Sequence, residues 1–279
     1  MYRTSFRTMR FSAIVKPLVL ASVWPVLFTV PAKALGVCAD PDYLPYSNRA
    51  GAGFENKIAE AVAKALGETV EYTYASHRGH GGFSQFLAST LDAKKCDVVM
   101  SIPYGSREEL TTRPYYISSY VFVFDKSKKF DITSMDSPVL KRVKVGFERE
   151  TPAEDALKMR GMIPAAMAFD VATDDGESPA LMLDALNSGK IDVLITWQPA
   201  IGIFLRAAPN LEVVPIPNER ALGPPEQYSF PMSMGVRAGN DALKKRLDDV
   251  IANHQAELTA ILTESGVMSS APRHGDDQR

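Results

Sequence analysis

Residues 94–124 read KKCDVVMSIPYGSREELTTRPYYISSYVFVF, and the fold turns on this stretch. Residues 96–100 are a short apolar run that ends in a Ser/Pro/Tyr/Gly turn. A polar, charged segment follows, and Arg113-Pro114-Tyr115-Tyr116 opens a second, aromatic-rich run. Apolar runs of this length bounded by turn residues read as strands. In an open α/β sheet, ligands sit beyond the carboxyl ends of the strands. The turn after Met100 is therefore where a site is expected.

Working outward, residues 35–40 read as a strand and residues 41–48 as a proline-rich turn bearing Tyr43 and Tyr46. Phe54, Ile58, Ala61, Val62, Ala65 and Leu66 recur at helical spacing, with Gly67 as a C-cap. Residues 69–74 alternate like a strand. Residues 83–91 read as a helix with Phe83, Phe86 and Leu87 inward. After a turn-rich segment at 131–138, a second unit begins. It has strands at 143–147, 165–169, 191–196 and 211–216, and helices from Thr151, at 179–186 and at 200–208. Thr151 as N-cap, Pro152 at the first helical position and Glu154 predict a capping box. Residues 231–236 return as a strand, and residues 241–264 are helical.

Each unit reads β-α-β-α-β, and the second is inserted into the first. The expected fold is α/β and two-lobed, each lobe a mixed or parallel sheet flanked by helices. The boundaries are 1–34 for a leader, 35–119 and 231–268 for lobe 1, 120–230 for lobe 2 and 269–279 for a flexible tail. The chain crosses near Tyr120 and near Phe230, which makes a hinge, and the gap between lobes makes a cleft.

Arg3, Arg7 and Arg10 precede an apolar run at 18–30 and the small-residue site Ala32-Lys33-Ala34. This is a secretory signal peptide, with cleavage expected after Ala34 and a periplasmic destination. Lys16-Pro17 interrupts the apolar segment, which leaves too short a run for a membrane anchor. Cleavage leaves 26 basic and 33 acidic side chains, a net charge of −7, which argues against a nucleic-acid binder. It also leaves Trp197 as the sole tryptophan of the two in the chain. Cys38 and Cys96 lie on strands expected to be neighbours. They form either a disulfide, favoured in an oxidising compartment, or two buried thiols.

His77 and His80 sit in a glycine-rich loop with no third ligand nearby, so no metal site is expected. The acidic residues 174–177 read as a solvated turn. Met159, Met162 and Met167 read as packing residues. No Ser/His/Asp set, zinc motif or phosphate loop is present, and no cofactor and no enzymatic activity are expected.

The ordered motifs resemble the type II periplasmic solute-binding proteins, in particular the polar amino-acid binders of family 3. Residues 37–47, Gly53-Phe54-Glu55, Cys96-Asp97-Val98-Val99-Met100, Arg113-Pro114-Tyr115-Tyr116 and Gly189-Lys190-Ile191-Asp192-Val193 carry the likeness across residues 35–268. The resemblance implies that an aspartate after the last of these strands holds a ligand ammonium, but Trp197 stands there. It implies an arginine for the ligand carboxylate, and Arg107 is the nearest match at a shorter spacing. Glu150-Thr151-Pro152, beside Glu148, replaces the family's glycine-threonine-threonine. A free amino acid is therefore a poor ligand. CADP at 38–41, LPYSN at 44–48, GFENKI at 53–58, TTRPYY at 111–116 and SYVFV at 119–123 resemble one subgroup more specifically. That subgroup is the quinoprotein-dehydrogenase-associated J proteins of methanol-oxidation clusters.

The resemblance implies an accessory protein that binds or activates a periplasmic PQQ-dependent methanol or alcohol dehydrogenase. The alternative is the substrate-binding component of an ABC importer for a small non-amino-acid solute. A dehydratase on the same fold is a third reading, with Glu148 as its acid. The residues expected to meet a ligand or partner are Asp40, Tyr43, Tyr46, Phe54, Ser101, Tyr104, Arg107, Glu148, Thr151, Trp197 and Gln198.

Overall fold

The computed structural model describes residues 1–2, 33–76, 78, 81–107, 109–171, 178–218 and 226–267. The chain divides into residues 1–31 and a unit of residues 32–279, and the sheet and its helices belong to the second. Four expectations lie outside the described residues: most of the leader, the His77 and His80 loop, the acidic turn at 174–177 and the tail at 269–279. No helix among the described residues is long and apolar enough to cross a membrane.

Strands β1 (Ala34–Ala39), β4 (Thr69–Tyr74) and β5 (Val98–Pro103) pair in parallel in the order β4-β1-β5. Between β1 and β4 the chain forms a small antiparallel pair, β2 (Asp42–Tyr43) and β3 (Ser47–Asn48), then helix α1 (Phe54–Leu66). Helix α2 (Gly82–Ser89) leads into β5, and β6 (Leu110–Thr111) follows it. The long strand β7 (Tyr116–Asp125) then changes partners. Its first residues pair with β12 (Ser229–Val236), and from Tyr120 onward it pairs with β10 (Val193–Trp197) and β11 (Leu211–Pro215). Strands β8 (Val145–Glu148) and β9 (Met167–Phe169) extend that half in parallel. Helices α3 (Pro152–Met159), α4 (Ala180–Asn187) and α5 (Gln198–Leu205) alternate with these strands, and α6 (Asp241–Glu264) closes the chain with a kink at His254.

Apolar burial follows the change of partner in β7. Phe54, Ile58 and Val62 of α1 pack with Leu243, Leu247 and Val250 of α6 over β1, β5 and β12. Phe122, Phe124, Phe147, Leu157 and Ile195 form a separate core beyond Tyr120. Each such side chain contributes roughly 1.5–3 kcal/mol by leaving water. Cys38 and Cys96 form a disulfide, with Cα atoms 5.5 Å apart, that ties β1 to the approach of β5.

The structure corrects several local expectations. The capping box does not form: Thr151 Oγ1 donates to the Glu148 carbonyl at 2.7 Å, and the Glu154 carboxylate accepts from the Glu150 N–H at 2.7 Å. The chain turns too sharply there for the box, with Glu150 in the left-handed region at φ 58°. Helix α5 begins at Gln198, two residues early, because Pro199 is compatible with a first helical turn. Phe83 is 39% exposed rather than inward, and Met159 is 56% exposed rather than packed. Met167 also stands exposed, on the short strand β9.

One close approach ties α5 to the end of α6. Gly202 of α5 meets the backbone just after α6, and a Cβ there would lie 2.5 Å from the Gly266 carbonyl oxygen. The Gln198 side-chain amide donates to the same carbonyl at 2.9 Å. Gly202→Ala is expected to lower stability by about 1–3 kcal/mol, as overpacked substitutions do. Urea unfolding checks this, and an unchanged midpoint would show that the backbones separate freely.

Candidate functional site

The first wall is built at the end of β1. The Ser47 hydroxyl accepts from the Asp40 N–H at 3.1 Å and donates to the Asp40 carbonyl at 2.9 Å, which locks the following hairpin. Tyr43 and Tyr46 stack there, their centroids 4.8 Å apart, and Tyr46 leans on Phe54 at 5.4 Å. Gly53 makes this possible, because a Cβ at that position would sit 2.6 Å from Ser47 Cα. Close packing of Gly53 on the hairpin brings the first turn of α1, with Glu55, to the cleft. The Arg78 guanidinium lies over the Tyr43 ring, 5.4 Å from its centroid.

The second wall is the end of β5. Against β12 the register slips between Ile102 and Val99, so that β5 bulges at Met100 and Ser101. Ser101 takes φ 54°, uncommon for a residue with a side chain. Bulges re-aim side chains, and here Ser101 faces a cavity. Its hydroxyl hydrogen-bonds the Tyr115 hydroxyl at 2.9 Å.

Asp40, Tyr43, Tyr46, Glu55, Ser101 and Trp197 line a cavity of about 280 Å³, along with Cys38, Phe83, Phe86 and Pro103. Desolvation pushes the Glu55 carboxyl up to about 8; hydrogen bonding by Ser101 opposes the shift and the Asp40 charge adds to it. Glu55 therefore holds its proton at neutral pH. Burial, then the Glu148 and Glu55 charges, push the Tyr43 phenol up, so that it stays a neutral donor.

A second cavity of about 380 Å³ adjoins the first and shares Tyr43, Tyr46, Pro103 and Trp197 with it. Its far side is built by β8, β10 and the change of partner in β7. Glu148, 6% exposed, ends β8, and Thr196 Oγ1 donates to its carboxylate at 3.1 Å. Burial raises its pKa, opposed by bonds from Thr196 and the Trp197 backbone. Trp197 ends β10, with Tyr120 at 5.0 Å and Phe230 at 5.8 Å between centroids. Thr151, Pro152 and Met232 complete the wall with Arg149, which pairs outward with Asp170 at 3.0 Å.

Seven of the eleven expected residues thus gather on the two cavities: Asp40, Tyr43, Tyr46, Ser101, Glu148, Thr151 and Trp197. Phe54 lies in the core behind Tyr46, fully buried. Gln198 is buried and faces Gly266. Tyr104 is half-buried, and its N–H donates to the Pro231 carbonyl at 2.8 Å; it lines neither cavity. Arg107 is exposed and also lines neither. Sequence reasoning missed Glu55, Tyr120 and Phe230 as wall residues.

The model of the bacterial extracellular solute-binding proteins, family 3, matches residues 35–264. Protein MoxJ of Methylorubrum extorquens is 32% identical over 251 residues, covering 85% of this chain and 81% of that protein. The crystal structure of the periplasmic binding protein XoxJ from Methylobacterium extorquens AM1 is similar at TM-score 0.66 and 32% identity, with 85% of this chain and all of that one covered. The crystal structure of MxaJ from Methlophaga aminisulfidivorans MPT is similar at TM-score 0.74 and 26% identity, with the same coverage.

Proposed function

This chain belongs to the bacterial extracellular solute-binding proteins of family 3, and from that premise we propose that it is a periplasmic accessory protein of a methanol-oxidation system. In this reading it binds or activates a PQQ-dependent methanol or alcohol dehydrogenase. The leader at 1–34 exports it. Lobe 1 comprises 35–119 and 231–268, lobe 2 comprises 120–230, and the cleft between them is the working face.

The observation that carries this reading is the cleft's charge. An amino-acid importer needs a cation for the ligand carboxylate, and among the described residues the one arginine lining either cavity, Arg149, is already paired with Asp170. Arg107 lies elsewhere. The residue after β10's apolar run is the neutral Trp197. With the usual ligand chemistry gone, the relatedness to MoxJ and XoxJ supports a partner-directed role. The test is affinity capture from the periplasm of a methanol-grown culture with the tagged, full-length protein as bait. A quinoprotein dehydrogenase is expected in the eluate at near-stoichiometric amount. Its absence from both native and cross-linked eluates would overturn the reading.

A second reading, import of a small non-amino-acid solute, draws on the two aromatic-walled cavities. Cavities of this size suit small molecules. Under that reading the eluate holds no dehydrogenase, and capture from detergent-solubilised membranes recovers a transporter's membrane subunits instead.

A further inference from the structure

The cavity of about 380 Å³ contains a pairing that neither reading of the cleft uses. The Trp197, Tyr120 and Phe230 rings stand at 54°, 66° and 72° to one another. Their centroids lie 5.0, 5.8 and 6.5 Å apart, so the rings pack tilted or edge to face on one another as one continuous aromatic wall. Glu148 shares this compartment, and its carboxylate is held by Thr196. We propose that this compartment binds a small alkylated ammonium cation, with Glu148 as counter-ion and the three rings as its apolar wall.

Charge selects the class of ligand. Asp40, Glu148 and Glu150 border the two joined cavities beside the protonated Glu55, against Arg149, which is turned to Asp170. Arg78 stands over Tyr43 and donates to the Asp42 carbonyl. Among the described residues no ion pair involves Glu148. A buried carboxylate without a counter-charge is costly, and a bound cation offsets that cost. An anion would meet these carboxylates, and an amino acid's own carboxylate would find only Arg149, already paired with Asp170.

Shape and chemistry narrow the choice further. Among the described residues no three metal-ligating side chains gather, so the walls do not replace the water shell of a small hard ion. A weakly hydrated organic cation suits aromatic faces, which attract it by about 0.5–2 kcal/mol per contact. The assignment does not depend on the dehydrogenase reading, because it concerns the isolated protein.

Calorimetric titration of the purified, full-length protein tests it with two probes, choline and 3,3-dimethyl-1-butanol. The second replaces the ammonium nitrogen by carbon and keeps the shape. Saturable 1:1 binding of choline is expected, with the neutral isostere at least tenfold weaker. Glu148→Gln is expected to weaken choline about tenfold, or ~1.4 kcal/mol, and to leave the isostere unchanged. Phe230→Leu, which leaves every charge in place, is expected to weaken both probes. Equal binding of the two probes by the wild-type protein would overturn the proposal without recourse to any variant. So would the absence of saturable choline binding at millimolar concentration. Dehydrogenase capture by the same protein preparation is read separately, so either result can fail alone.

Discussion

Replacing Cys38 and Cys96 together by alanine is expected to lower the free energy of unfolding by about 4 kcal/mol. The two residues are 58 apart in sequence, and closing a loop of that length removes this much entropy from the unfolded chain. For a domain of this size, ~2–4 °C is lost per kcal/mol, so the melting temperature is expected to fall by on the order of 10 °C. Both cysteines are 3% exposed, so the variant also loses packing of two small apolar groups beside Phe86 and Leu87. Scanning calorimetry of the oxidised wild type and the double variant decides the matter. A difference under about 2 °C would show that the bridge restrains little of the unfolded chain.

A second large effect is expected from pH. Glu55 titrates at about 8 in the folded protein, against an ordinary value of 4.5. Between those values the folded state holds a proton that the unfolded state has released. Stability contributed by the neutral carboxyl is therefore complete below pH 4.5, falls as pH rises toward 8 and levels off above it. The limiting slope is about 1.4 kcal/mol per pH unit for one proton. Glu55 faces the cavity and keeps some access to water, which trims the expected fall to about 2–3 kcal/mol across the window. Burial raises Glu148 as well, so it acts with the same sign. The carboxylates held low by partners, such as Asp136 and Glu226, act in the opposite sense in acid. Urea unfolding at pH 5, 6, 7 and 8 should show the fall in the wild type and a much flatter profile for Glu55→Gln. Parallel profiles for the two proteins would remove Glu55 from this role.

The strand and helix plan was legible because it rests on local signals. Apolar runs between turns marked β5 and β7, and helical spacing with Gly67 marked α1. Local signals also placed Tyr43, Ser101 and Trp197 beside strand ends, where sheets of this kind leave a crevice. Glu55 was not legible. An acid in the first turn of a helix ordinarily complements the helix dipole in water. It faces the cleft here only because Gly53 presses α1 against the Tyr46–Ser47 backbone, a contact made through the hairpin. Tyr120 and Phe230 read as strand residues at a hinge. They become a wall only when β7 changes partners and brings Trp197 opposite Tyr120. Arg107 shows the reverse failure. Its spacing suggested a ligand base, but the turn after β5 carries it out to solvent.

The backbone contact of Gly202 with Gly266 bears on how a guest enters. A body joined by two neighbouring strands can swing on them like a door. Strands β7 and β12, paired through Ser118 and Ser119, make such a joint. The contact after α6, fastened by Gln198, is one more attachment across that joint, and any swing has to part it or carry it along. In the two-lobed reading proposed above, the cleft then works as a pre-shaped receptacle more than a jaw, and a guest would leave by its own escape.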